Sequence, residues 1–161
     1  MRDAPEFEIV AAEPSPIGMI CLRRRESSAE PGGFVTEITL DHRFLMSSAV
    51  TDSERALAFH ALAMHEGSGL HVLVGGLGLG YTAREALRSE RVARVDVVEF
   101  LRPVIDWLAR GLVPLAAELQ ADPRFAVIEG DVYQRLASPP AQRYDVILID
   151  VDNSPDEQLG D

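Results

Sequence analysis

The stretch Leu70–Arg84, reading LHVLVGGLGLGYTAR, constrains this chain more than any other. Its opening, His71-Val72-Leu73-Val74, is too short for a helix and rich in β-branched residues, which predicts a buried parallel strand. It runs into Gly75-Gly76-Leu77-Gly78-Leu79-Gly80, after which Tyr81–Leu87 reads as a helix. Strand, glycine turn and helix form the opening unit of a nucleotide-binding α/β sheet. Residues without a Cβ let the backbone turn sharply and let a ligand come close. The dinucleotide fingerprint G-x-G-x-x-G would need a third glycine where Tyr81 stands, whereas G-x-G-x-G is present at Gly76, Gly78 and Gly80. That counts against NAD and leaves an NAD-dependent dehydrogenase as the weakest reading. A glycine-rich turn that merely packs strand on helix is the plain alternative, and the downstream residues decide between them.

Downstream, strands are predicted over Arg94–Glu99, Phe125–Glu129 and Tyr144–Asp150. Between them lie helices beginning near Pro103, at Pro114–Leu119 and at Val132–Ala137. Alternating strands and helices imply a parallel sheet with right-handed crossovers, and ligands in such sheets bind beyond the carboxyl ends of the strands. An acid falls at each of those ends. Glu99 closes the second strand roughly 20 residues past the glycine loop, where an acid accepts from ribose hydroxyls. Asp131 follows the third strand, within reach of an adenine edge, and Asp150 closes the fourth beside the glycine loop. Each has a structural alternative: Glu99 as a strand terminator, Asp131 as a helix N-cap, Asp150 as a turn residue with Asp152, Asn153 and Pro155. Their common register with the glycines favours an adenosyl pocket.

Residues 1–50 read as a small antiparallel β region, with strands at Phe7–Ala11, Gly18–Arg25 and Phe34–Leu40 and a return at Phe44–Ser47; Pro14 and Pro16 are expected to break the first. Residues 51–66 read as a helix capped by Thr51 or Asp52, carrying His60 and His65. Residues 51–161 then form the adenosyl-binding domain. The net charge of −11 disfavours a nucleic-acid partner and is compatible with a cationic small substrate, although solubility alone accounts for it. The run Arg23-Arg24-Arg25, followed by Glu26 and Glu30, reads as a solvated strand end. Cys21 is the only cysteine, so neither an intrachain disulfide nor a cysteine metal cluster is expected. No run approaches the roughly 20 apolar residues of a membrane helix, and MRDAPEFEIV lacks a signal-peptide pattern. The expectation is a cytoplasmic protein with no membrane, nucleic-acid or metal partner.

From about Leu40 to Pro155 the chain resembles the spermidine synthases, the polyamine aminopropyltransferases of class I methyltransferase-like fold. The segments that carry the likeness are LDHRFLMSS, FH within the following helix, VGGLGLGYTARE, VVEF, DPRFAVIEGD and YDVILIDVDNSP. The G-x-G-x-G spacing likewise resembles the S-adenosylmethionine loop of class I methyltransferases. The resemblance implies a Rossmann-like parallel sheet with helices on both faces, preceded by the small β region. It implies that Gly76, Gly78 and Gly80 line a sulfonium nucleoside, that Glu99 holds its ribose and that Asp131 holds its adenine. Asp150 would orient and deprotonate the attacking amine, with His60 and Asp152 near the acceptor. The co-substrate would be S-adenosylmethionine or its decarboxylated form, without a metal, and the protein a homodimer. Family folds add three more strands after the fourth; this chain stops at Asp161. The reading therefore expects either a piece of a longer protein or an edge covered by a partner.

Departures from the family pattern bear on the chemistry. Where the glycine loop usually reads G-G-G-D-G-G, Leu79 stands at the aspartate that pairs with the aminopropyl ammonium. The usual tyrosine before His60 is Phe59, and D-S-S-D-P becomes Asp150-Val151-Asp152-Asn153-Ser154-Pro155. The leading expectation is a transferase moving an alkyl group from an adenosyl sulfonium donor to an acceptor, an amine if the resemblance holds. The alternative is a non-catalytic nucleoside-binding or dimerisation module that has lost aminopropyl transfer.

Overall fold

A computed structural model of the protein describes residues 7–151. Two sheets organise it. The first is antiparallel, in the order β1 (Glu8–Ser15), β2 (Gly18–Glu26), β3 (Phe34–Leu40), β4 (Arg43–Ser47). β1 runs through Pro14, which pairs with Met19, so Pro14 does not end the strand. β1 is an edge strand, and an edge can spare the N–H that proline lacks. The two residues between β3 and β4, Asp41 and His42, both have positive φ (46° and 67°), the backbone that a tight two-residue hairpin requires. Asp41 Oδ1 also accepts from Met19 N–H at 2.8 Å, which ties that hairpin to β2.

The arginine run is not simply solvated. Arg23 and Arg25 both bond the buried carboxylate of Glu37 on β3, at 3.0 and 3.2 Å, and Arg24 bonds Glu8 at 2.6 Å. The reason is strand alternation. Arg23 and Arg25 share a face that meets Glu37, while Arg24 points the other way.

Helix α1 (Asp52–Met64) links the sheets. Thr51 occupies its N-cap position without a side-chain bond; Ala58 and Leu62, one turn apart, are its buried residues. Then come β5 (Leu70–Gly75), α2 (Tyr81–Leu87), β6 (Val92–Glu99), α3 (Arg102–Ala109), α4 (Ala116–Ala121), β7 (Phe125–Glu129), α5 (Val132–Ala137) and β8 (Val146–Ile149). The second sheet is parallel, in the order β7-β6-β5-β8. The chain steps outward from β5 to β7 and then crosses back to place β8 on the other side of β5. That reversal is the switch point at which such sheets hold ligands.

One face of this sheet (Val72, Val74, Val95, Val97, Leu148) shares an apolar core with α1–α4 and with Ile20, Leu22 and Ile38 of the first sheet. On the other face Leu73 and Val98 pack with Val132 of α5. The fold is thus α/β, with helices on both faces of the parallel sheet and the antiparallel sheet joined to the same core. Among the described residues β8 pairs only with β5, and Ile147 and Ile149 of β8 are exposed.

Candidate functional site

The carboxyl ends of the parallel strands open onto a cavity of about 320 Å³, within the range of small-molecule sites. The end of β5 brings Gly76 and Gly78 to it, the end of β6 Glu99, the turn after β7 Gly130 and Asp131, and the end of β8 Asp150. Ile20, Ile38, Leu40 and Met46 of the antiparallel sheet line it as well. Residues 1–50, read from sequence only as a small antiparallel β region, therefore supply an apolar wall. The signal was present in β2 and β3 as alternation, but alternation does not say what the inward side chains face.

The glycine loop is held open by its neighbours. Gly76 has φ +97° and lies so close to the Asp150 carbonyl that an added Cβ would sit 2.1 Å from that oxygen. Gly78, at φ +52°, would meet the Met46 side chain. Gly80 is different. It is the left-handed N-cap residue of α2, it does not line the cavity, and its missing Cβ makes room for Leu119 of α4. Of the three glycines assigned to the nucleoside, Gly76 and Gly78 border this cavity, while Gly80 packs against α4 and borders a narrower cleft beside it.

Glu99 is buried, and both of its oxygens have backbone partners. Oε2 accepts from Leu77 N–H at 2.8 Å and Oε1 from Leu101 N–H at 2.7 Å. The carboxylate thereby fixes the glycine loop to the end of β6, and each oxygen keeps a lone pair for a further donor. Asp131 caps α5: its Oδ1 accepts from Tyr133 and Gln134 N–H at 2.8 and 3.3 Å. Both bonds fall on one oxygen, which leaves Oδ2 for another donor at the cavity.

Asp150 borders this cavity and also a narrow cleft on the other side of the glycine loop, lined by Met46, Glu54, Leu79 and Tyr81 among others. Burial pushes its carboxyl above the ordinary value of 3.8, a hydrogen bond from Thr82 opposes this, and the Glu54 charge adds to the rise. Thr82 Oγ1 donates to Asp150 Oδ2. Neither Thr82 nor Glu54 had been singled out for chemistry. Their sequence signal is only a small hydroxyl and an acid in the first turns of α2 and α1. Burial likewise pushes the Tyr81 phenol up, moderated by the Arg84 charge and a hydrogen bond with Ser48.

His60 is not brought to these residues. α1 turns Ala58 and Leu62 to the core, and His60 lies on its exposed side, ring edge to face with Phe59 (centroids 5.4 Å apart). There it borders a separate open cavity with Arg55, Glu85 and Arg88. Asp152 lies outside the described residues. Leu79, at the position of the family's aspartate, is 2% exposed and part of the apolar core. Among the described residues no group of His, Cys, Asp and Glu side chains is arranged to hold a metal ion, and no helix is long and apolar enough to cross a membrane.

No family model matches the chain. Polyamine aminopropyltransferase 2 of Streptomyces coelicolor is 38% identical over 100 residues, 58% of this chain and 18% of that protein. Putrescine N-methyltransferase 2 of Nicotiana tabacum is 34% identical over 79 residues, 49% of this chain and 22% of that protein. The chain thus spans about a fifth of the length of these curated relatives. In fold it is similar to a crystal structure of spermidine synthase in complex with the transition state analogue AdoDATO, with a TM-score of 0.72 at 24% identity, covering 90% of this chain and 47% of that one.

Proposed function

We propose that this chain, spermidine-synthase-like in sequence and methyltransferase-like in fold, binds an S-adenosyl sulfonium donor and takes part in alkyl transfer to a polyamine-type amine. The observation that carries the reading is the convergence of Gly76, Glu99, Asp131 and Asp150 on one cavity at the switch point of the sheet. In this reading Gly76 and Gly78 give the donor backbone contact without side chains in the way. Glu99 accepts from ribose hydroxyls through its remaining lone pairs, and Asp131 accepts from the adenine amino group through Oδ2. The apolar wall of the antiparallel sheet excludes water from the sulfonium side.

The donor supplies a carbon activated by positively charged sulfur. The chain's own work is positioning and proton removal. An amine enters as the ammonium and must lose a proton before it can attack. Asp150 takes that proton, the C–N bond forms as the C–S bond breaks, and the sulfur leaves as a neutral thioether with the electron pair. A carboxylate raised by burial is a stronger base than an exposed one, which suits this task. Glu54 and Asp150 on the same cleft give an acidic surround that favours a cationic acceptor.

One observation favours methyl over aminopropyl as the transferred group. Leu79 is buried in the apolar core and offers an ammonium no counter-charge, and an unpaired buried ammonium costs several kcal/mol. The relatives include a putrescine N-methyltransferase as well as a polyamine aminopropyltransferase. Incubation with radiolabelled S-adenosylmethionine or its decarboxylated form, with putrescine as acceptor, tests the reading. Label in the polyamine fraction is expected with the wild type, and none with Asp150→Asn. Equal label with both removes Asp150 from the mechanism.

A further inference from the structure

Thr82 sits in the first turn of α2, 3% exposed, with its hydroxyl between two acceptors: Asp150 Oδ2 and, at 3.4 Å, the Glu54 carbonyl of α1. A hydroxyl carries one proton, so it donates to one acceptor at a time. Among the described residues the ionisable groups around Asp150 are carboxyls and phenols. Glu54 faces it from α1, Tyr81 lies beside it from α2, and Glu99, Asp131 and Tyr133 stand around the larger cavity. No arginine is among the described residues lining either space. Among the described residues this half-buried carboxylate faces no cation that would stabilise its charge, and a directed hydrogen bond takes that part.

We propose that Thr82 is a positioning residue: its hydroxyl proton holds the Asp150 carboxylate in its ionised, proton-accepting state, and turns to the Glu54 carbonyl when Asp150 is protonated. A charge-assisted bond to a carboxylate outcompetes one to a neutral carbonyl, so the ionised state draws the proton to Oδ2. Once Asp150 gains a proton, that advantage is gone and the hydroxyl satisfies α1 instead. Thr82 neither gains nor loses a proton. Its donation follows the charge, and it links the state of the β8 end to α1. The role of this link in transfer rests on the proposed function; the link itself does not.

The test is a carbon-13 NMR titration of the aspartate carboxyls in the whole chain, with Asp150 assigned by its absence in Asp150→Asn. Thr82→Val keeps the shape and removes the hydroxyl; Thr82→Ser keeps the hydroxyl and removes the methyl. The Asp150 midpoint is expected to rise by about 1 pH unit in Thr82→Val and to stay near the wild-type value in Thr82→Ser, since a single charge-assisted bond is lost only in the first. A Thr82→Val midpoint equal to wild type, or an equal rise in both variants, overturns the assignment. A rise confined to Thr82→Val in a protein that binds no adenosyl compound upholds it while overturning the proposed function.

Discussion

The carboxylate of Glu99 accepts a hydrogen bond from the backbone N–H of Leu77 at 2.8 Å, so the acid at the end of β6 also holds the glycine loop at the end of β5. Its second oxygen does the same for Leu101. Glu99→Gln would set an amide donor against one of these N–H groups. We expect a loss of about 1–3 kcal/mol in urea unfolding, the cost of leaving a buried donor without an acceptor. Adenosyl binding should fall with it, because the loop and the ribose acceptor are altered together.

Gly76 and Gly78 should respond unequally to alanine. At Gly76 the new Cβ meets backbone, the Asp150 carbonyl, which cannot withdraw without moving the end of β8. At Gly78 it meets the flexible end of Met46. Gly76→Ala is expected to destabilise by about 3 kcal/mol or more, and Gly78→Ala by about 1–2 kcal/mol from its left-handed backbone. Denaturant midpoints of the two variants check the order.

Asp150 and Asp96 should give opposite pH signatures. Asp150 is raised in the folded state, so its contribution to stability is fully present below 3.8 and is lost as pH rises through its folded value. Asp150→Asn removes that loss. The variant should be more stable than wild type at neutral pH, and the advantage should vanish in acid. Stability measured from pH 3 to 8 for both proteins tests this.

Asp96 is fully buried in the middle of β6. Oδ1 accepts from Arg94 at 2.7 Å, and Oδ2 from Gln142 at 2.6 Å and Tyr144 at 2.9 Å. Burial alone would raise its carboxyl, but the bonds from Arg94, Tyr144 and Gln142 outweigh it and hold it below 3.8. Its stabilising contribution is present above 3.8 and lost as pH falls through the lower folded value. Asp96→Ala should cost about 1–3 kcal/mol at pH 7 in chemical denaturation, by leaving the half-buried Gln142 and Tyr144 without their acceptor.

Asp131 separates two roles by substitution. Asp131→Ala removes the cap of α5 and should cost about 1 kcal/mol, whereas Asp131→Asn keeps an oxygen for Tyr133 and Gln134 N–H and should be near wild type in stability. Weaker adenosyl binding by the stable Asp131→Asn would tie the second oxygen to the ligand. Unchanged binding would leave Asp131 as a cap alone.

The strands, the glycine loop and the three acids were legible because each has a local signature: an apolar run, a residue without Cβ, an acid where a strand stops. β7 and α5 fall at Phe125–Glu129 and Val132–Ala137, as their residues predict. What local pattern could not give was partnership across the chain. Asp96 reads as one more residue of an apolar strand until Gln142 and Tyr144 arrive from the loop before β8. Thr82 reads as helix until Asp150 meets it, 68 residues away in sequence. His60 was carried over by resemblance, and the turn of α1 that buries Ala58 and Leu62 faces it outward.

The central claim is an adenosyl pocket at the ends of β5, β6 and β8. Isothermal titration calorimetry with S-adenosylmethionine, its decarboxylated form and methylthioadenosine, with NAD as the control, tests it most directly. Saturable binding of the adenosyl compounds is expected, with a preference for S-adenosylmethionine over the decarboxylated donor because of Leu79, and no binding of NAD. Saturable NAD binding, or heats for the adenosyl compounds no larger than dilution, would contradict it.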